Sequence, residues 1–200
     1  MSRRSHTVSE ESRDAKRRSR GQTLAEFGIT LSLLMVVLLG IFQVSFLIYQ
    51  QYVALNLARE GANLILRENN LDEAAAAIRS AQADPQFDAN TRLILSVVQL
   101  GVQGQNEHKY IITQRHTWGM PTGTSVLGDP DSSRYGGGPT YTAIDLAHDA
   151  NIQATSPLPN GLRIDPGQSV YVAEIFRKRR DILPLASAHL PDTLYSVAYF

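Results

Sequence analysis

The residues best placed to do chemistry stand just ahead of a long apolar run: Gly21-Gln22-Thr23-Leu24-Ala25-Glu26-Phe27. Glu26 sits at the rim of that run, and the next 22 residues, Phe27 to Ile48, carry no charge. A carboxylate at the start of a membrane span is costly to bury unless it is partnered. The positive end of a helix lowers part of that cost. Cutting after Gly21 would free an ammonium on Gln22, one helical turn from Glu26 or close to the same carboxylate of a neighbouring subunit. In lipid such a pair would set the axial register of an assembly. The plain alternative is a membrane anchor whose Glu26 rests among headgroups, and the chemistry alone leaves both readings open.

Other reactive residue types lack a pattern. The histidines (His6, His108, His116, His148, His189) have no helix-face ligand spacing, which favours solvated or packed roles over zinc. Asp129-Pro130-Asp131-Ser132-Ser133 and the Asp145–Asp149 stretch hold oxygen ligands of the kind calcium takes, but neither matches an EF-hand loop. No GxSxG, HExxH, P-loop or dinucleotide fingerprint occurs. Gly136-Gly137-Gly138 reads as loop flexibility because no strand leads into it. Lys178-Arg179-Arg180 reads as a solvated turn. The expectation is a chain with no catalytic residue, metal site or cofactor, not an enzyme.

The elements that must position Gly21–Phe27 follow from charge and periodicity. Net charge is zero, yet residues 1–20 hold seven basic side chains against three acidic ones. The remainder is correspondingly acidic, so no chain-wide basic surface supports a nucleic-acid partner. A basic tail beside a span places residues 1–20 in the cytoplasm and everything after about residue 50 outside. As a helix, the run of 22 residues spans about 33 Å, enough for a hydrocarbon core of about 30 Å. It is too long for the apolar part of a signal peptide, and bulky Tyr49-Gln50-Gln51-Tyr52 follows it. With no cysteine, the exported part must rely on its own core or on assembly.

Residues 1–20, polar and mixed in charge, are expected to be disordered. Thr23 with Glu26 has the spacing of a capping box. One helix is predicted from about Leu24 to Glu68, with an outer apolar stripe of Tyr52, Leu55, Ala58/Arg59, Ala62, Ile65 and Leu66, ended by Asn69-Asn70. Asn70 caps a short alanine-rich helix over 71–82. A hairpin follows, 91–102 with 110–118, then a long surface excursion over 119–168 with a short helix at 142–152. Strands at 169–177 and 194–200 close the chain. This gives three parts: a basic leader (1–21), a helix (22–69, span 27–48) and an extracytoplasmic domain (70–200). The fold class is α+β, a long N-terminal transmembrane helix packed at its outer half on a small, mainly antiparallel sheet.

Glycine, four residues, then Glu and an aromatic, behind a basic leader and ahead of a span, resembles the processing motif of class III prepilins and type IVb pilins. RGQTLAEFGITLSLLMVVLLGIF, with Ala58-Arg59-Glu60-Gly61-Ala62 downstream, is similar to the TadE-like pseudopilins of the tight-adherence (Tad) pilus. The likeness is specific over residues 20–66. It departs at Ser32, where such sequences often have proline; Ser32 can instead hydrogen-bond its own backbone. The resemblance implies that Gly21 is the last leader residue and Gln22 the new N-terminus. Glu26, beside Phe27, would be the fifth mature residue, paired with a neighbour's amine. It implies as partners the cytoplasmic membrane, a prepilin peptidase, and other pilin and Tad assembly subunits. Because the part beyond the helix is large, the role implied is that of a minor pilin in pilus assembly, surface adhesion or secretion. The competing reading is an uncleaved single-pass anchor presenting a ligand-binding or sensory domain.

Overall fold

The structure, a computed structural model, describes residues 5–68, 70–82, 85–119, 123–155, 158, 162–180 and 191–200, with backbone alone for 5–21 and Glu68. Asn69, His189 and the first four residues of the basic leader lie outside the described residues. The chain divides into two compact units, residues 1–46 and 47–200.

In the first unit the chain is one helix, α1, which runs over Ser5–Glu68 and so continues into the second. Among the described residues it is the helix long and apolar enough to cross a membrane. Leu24, Phe27, Ile29, Leu33, Met35 and Phe42 all stand exposed along it, as a lipid-facing segment requires. Its hydroxyls are turned onto the helix's own carbonyls: Thr30 Oγ1 donates to Glu26 O and Ser32 Oγ to Gly28 O, each at 2.8 Å. This is how polar side chains are tolerated where water is absent. The helix starts well before Leu24, against the expectation of disorder over 1–20. No proline interrupts this stretch, and Glu10 with Arg13 and Asp14 with Arg17 and Arg18 supply opposite charges at helical spacing. Thr23 is therefore inside the helix and is not its N-cap.

The second unit is built on a four-stranded antiparallel sheet in the order β2-β1-β3-β4, with β1 Thr91–Leu100, β2 Tyr110–Gly119, β3 Ser169–Lys178 and β4 Thr193–Tyr199. The hairpin and both late strands lie where β-branched alternation places them. A bulge at Val97/Val98 shifts the β1–β2 register. One sheet face buries Leu93, Leu95, Val97, Ala173 and Ile175 under the outer part of α1 and under α2 (Leu71–Ser80). Asn70 caps α2, its side-chain oxygen accepting from Asp72 N (3.0 Å) and Glu73 N (3.3 Å). A single turn, α3 (Phe87–Asn90), sets Phe87 against Trp118.

The buried stripe of α1 is rotated from the expected one. It consists of Ala54, Leu57, Ala58, Ala62 and Ile65, while Tyr52 and Leu66 are exposed. Small side chains win this face because the backbone comes close to the sheet. A Cβ on Gly61 would lie 2.9 Å from Ile78 Cδ1 and 3.2 Å from Ala173 Cβ. Bulk at this face would hold the helix away and forfeit contacts along its length.

The 119–168 excursion is more than surface. Its Leu127, Tyr135, Ala143, Ile152, Leu158 and Ile164 cover the other sheet face, over Val98, Ile112, Val170 and Val172. A sheet apolar on both faces needs two covers, and with helices on one side only this loop supplies the second. The helix expected at 142–152 is reduced to a 3-10 turn at Ala150–Ile152. The aspartates compete for the backbone there: Asp145 accepts from Ala147 N and His148 N, and Asp149 from Asn151 N.

Candidate functional site

Gly21, Gln22, Glu26 and Phe27 all lie on α1, inside the helix and not at its end. Gln22 Nε2 donates to Glu26 Oε1 at 2.9 Å, so the carboxylate has a partner one turn back on its own helix. Both side chains and Phe27 are exposed, and the face at Gly28 is open, with nothing within 4 Å of where a Cβ would stand. This corrects one part of the electrostatic argument. With α1 described from Ser5, Glu26 is about six turns from that end, beyond the reach of the helix dipole. In the intact chain the amide of Gln22 does what the helix terminus was expected to do. Cutting at the Gly21–Gln22 bond would make Glu26 a first-turn residue and restore the dipole's contribution.

The second unit holds a buried polar network that sequence reasoning passed over. Glu174, at the centre of β3, is fully buried. Its carboxylate accepts from Ser125 Oγ, from Val126 N at 2.9 Å and from Tyr195 Oη at 2.9 Å. Nearby, Arg115 is 3% exposed and reaches Gly128 O (2.7 Å) and Asp129 (3.3 Å); Arg92 also meets Asp129 at 3.3 Å. Burial pulls the Arg115 guanidinium's pKa down from its ordinary value, opposed most strongly by the nearby Glu174 charge. Burial first, then Glu174, holds the Tyr195 phenol well above the usual range, and burial pushes Tyr135 up to about 12. Together these groups staple the 123–129 segment onto the sheet, and the network is structural in kind. Its signal was legible: in SVYVAEIFR the residues sharing a face run Val170, Val172, Glu174, Phe176, a lone acid among apolar side chains.

The other singled-out residues sort plainly. His116 stacks on Tyr141 (4.2 Å between rings) with Asp72 3.9 Å away, and burial lowers its pKa. His148 stands 3.4 Å from Asp145. Among the described residues no group of three or more metal-ligating side chains converges. The basic cluster after β3 is not simply solvated: Arg179 is buried and donates to Pro191 O at 2.9 Å. The backbone of Arg180 is held at both groups by Gln50 of α1 (Nε2 to O 2.8 Å, N to Oε1 2.9 Å).

A helix with one candidate membrane span, leading into a small antiparallel α+β unit, defines the architectural class. Within it, the family model for TadE-like proteins matches residues 21–63, about a fifth of the chain. That segment runs from Gly21 through the candidate span into the sheet-packing part of α1, and over it the chain is similar to TadE-like proteins. No curated protein and no solved structure matches the chain.

Proposed function

We propose that this protein is a minor pilin of a Tad (type IVb) pilus or related secretion apparatus, structural and not catalytic, held in the cytoplasmic membrane by α1. Its N-terminus is cytoplasmic and its sheet unit extracytoplasmic. A prepilin peptidase removes residues 1–21, and the helix from Gln22 onward is then available to other pilin and Tad assembly subunits. Assembly, adhesion and secretion are the processes such a subunit serves.

The observation that carries this reading is the pairing of Gln22 with Glu26 at the head of a TadE-like span. A charge that enters lipid needs a partner. Gln22 provides one before cleavage, and its new ammonium provides a stronger one afterwards. N-terminal sequencing of the mature protein tests it, with Gln22 expected as the first residue; an intact Met1 would instead leave an uncleaved anchor. Glu26→Ala is expected to leave cleavage and membrane insertion intact and to abolish piliation. Normal piliation in that variant would remove the assembly role from this carboxylate.

A further inference from the structure

β4 is an edge strand, with β3 on one side and no strand on the other among the described residues. Phe200 exchanges both backbone hydrogen bonds with Tyr171 (2.8 and 3.0 Å). Hydrogen-bonded and non-hydrogen-bonded pairs alternate along an antiparallel ladder. With Ala198 opposite Ala173 and Ser196 opposite Ile175, the N–H and C=O groups of Tyr195, Val197 and Tyr199 therefore point away from β3. Tyr195 confirms the direction, since its carbonyl accepts from Gln51 Nε2 of α1 at 3.0 Å. No such partner serves Val197 or Tyr199 among the described residues.

Beside those two residues lies a groove of about 350 Å³, walled by Leu55 and Arg59 of α1, by Leu162, and by Ala198 and Phe200 at the end of β4. Arg59 is exposed and makes no hydrogen bond or ion pair among the described residues. Backbone donors and acceptors two residues apart, two aliphatic walls and one unpaired guanidinium sit together. A free edge of this kind is ordinarily blunted by charge, proline or a covering segment. Here Gln51 blunts only the Tyr195 end.

We propose that the β4 edge at Val197 and Tyr199 receives an extended polypeptide strand from another protein subunit, one carrying a carboxylate that pairs with Arg59. Main-chain hydrogen bonds would hold the strand, and the aliphatic walls with Arg59 would select its side chains. The occupant is a peptide because only an extended backbone presents donors and acceptors at this repeat. It is acidic because Arg59, the cationic residue lining the groove, has no counter-ion among the described residues. The edge reads a backbone, so the inference holds whether or not residues 1–21 are removed.

The test uses the full chain in detergent micelles and two peptides, acetyl-Thr-Val-Glu-Val-Thr-amide and the same peptide with Lys for Glu. Amide chemical shifts and exchange rates are followed by NMR. The Glu peptide, at millimolar concentration, is expected to shift and protect the Val197 and Tyr199 amides and to bind about threefold or more tightly than the Lys peptide, the range of a partly exposed ion pair. Arg59→Gln should erase that preference while leaving the remaining amide spectrum unchanged. Val197→Pro removes only an N–H that the sheet does not use, a substitution edge strands accept, and should weaken binding about tenfold or more. If Val197→Pro unfolds the sheet, Arg59→Gln decides alone. Absence of protection at Val197 and Tyr199, equal binding of the two peptides, or shifts explained by association of the chain with itself would each overturn the proposal.

Discussion

Glu174→Ala would remove the acceptor on which three donors converge, and its cost can be worked from the geometry. Val126 N–H loses its partner at 2.9 Å in a half-buried position. Ser125 Oγ, which also accepts from Leu127 N (3.2 Å), is left with an undirected proton in a buried site. Tyr195 Oη, half-exposed, can turn to water at little cost. Each buried donor left unmade costs about 1–3 kcal/mol. Arg115, 3% exposed, also loses the Glu174 charge that favours its cation, while Asp129 stays 3.3 Å away. With two such donors, Val126 N and Ser125 Oγ, the cost expected for Glu174→Ala is about 2–6 kcal/mol in total. Glu174→Gln keeps the shape and one acceptor, and its amide can donate to Ser125. Its expected cost is smaller, about 1–2 kcal/mol.

Trp118 is the sole tryptophan, stacked near Phe87 with Arg79 4.2 Å above its ring, and it reports unfolding of this unit directly. Urea unfolding followed by its fluorescence should move the midpoint down, in the order wild type, Gln, Ala, with the slope unchanged. If Glu174→Ala costs less than about 1 kcal/mol, the carboxylate is not what fastens the 123–129 segment to the sheet, and the apolar cover alone suffices.

Three further outcomes follow from single contacts. His116 is packed neutral, burial lowering its pKa against the opposing charge of Asp72, while Tyr141 covers its ring. A folded-state pKa below the unfolded one gives stability that is present above the unfolded value, about 6.5, and lost as pH falls through the folded one. Urea midpoints should therefore drop between neutral and mildly acidic pH, and less so in His116→Phe. Gly61→Val would force atoms into Ile78 Cδ1 and Ala173 Cβ, already 2.9 and 3.2 Å from an ideal Cβ; thermal unfolding should show a loss of about 1–3 kcal/mol. Gln50→Ala strips both backbone partners from Arg180, at about 1–3 kcal/mol, and amide exchange at Arg180 should accelerate.

Periodicity carried the elements that obey one rule at a time. The hairpin, β3 and β4 alternate cleanly, Asn70 announces its cap, and α1 ends at Glu68 because Asn70 starts the next helix. What escaped depends on a choice between partners. Tyr52 and Ala54 both fit a helical stripe, and only the close approach at Gly61 decides for the small face. The 119–168 segment has no regular period because its buried residues are spaced by turns, so its role as the second cover follows from the sheet needing one. Gly21, Gln22 and Glu26 were legible as a constellation, but the helix extending through them was not. Its upstream charges are compatible with coil or helix until a long apolar helix is there to extend.

That extension bears on how processing would work. A bond inside a helix is shielded by its own hydrogen-bonded turns, and a peptidase needs local opening to reach it. Gly21 makes the opening cheapest where it is needed, since glycine disfavours the helix by about 1 kcal/mol relative to alanine. Before the cut, Gln22 holds Glu26 through a neutral amide at 2.9 Å. Afterwards the same residue would offer a charged ammonium to the same carboxylate, at a helix end whose dipole favours it. The ammonium has three protons and Glu26 has two oxygens, so one pairing within the chain leaves capacity for a second with a neighbour. On the proposed reading, cleavage turns a self-satisfied side chain into a shared one. Glu26→Gln, which keeps the size but not the charge, should then insert normally and still fail to assemble, whereas assembly by Glu26→Gln would show that the carboxylate's charge is not what joins the subunits.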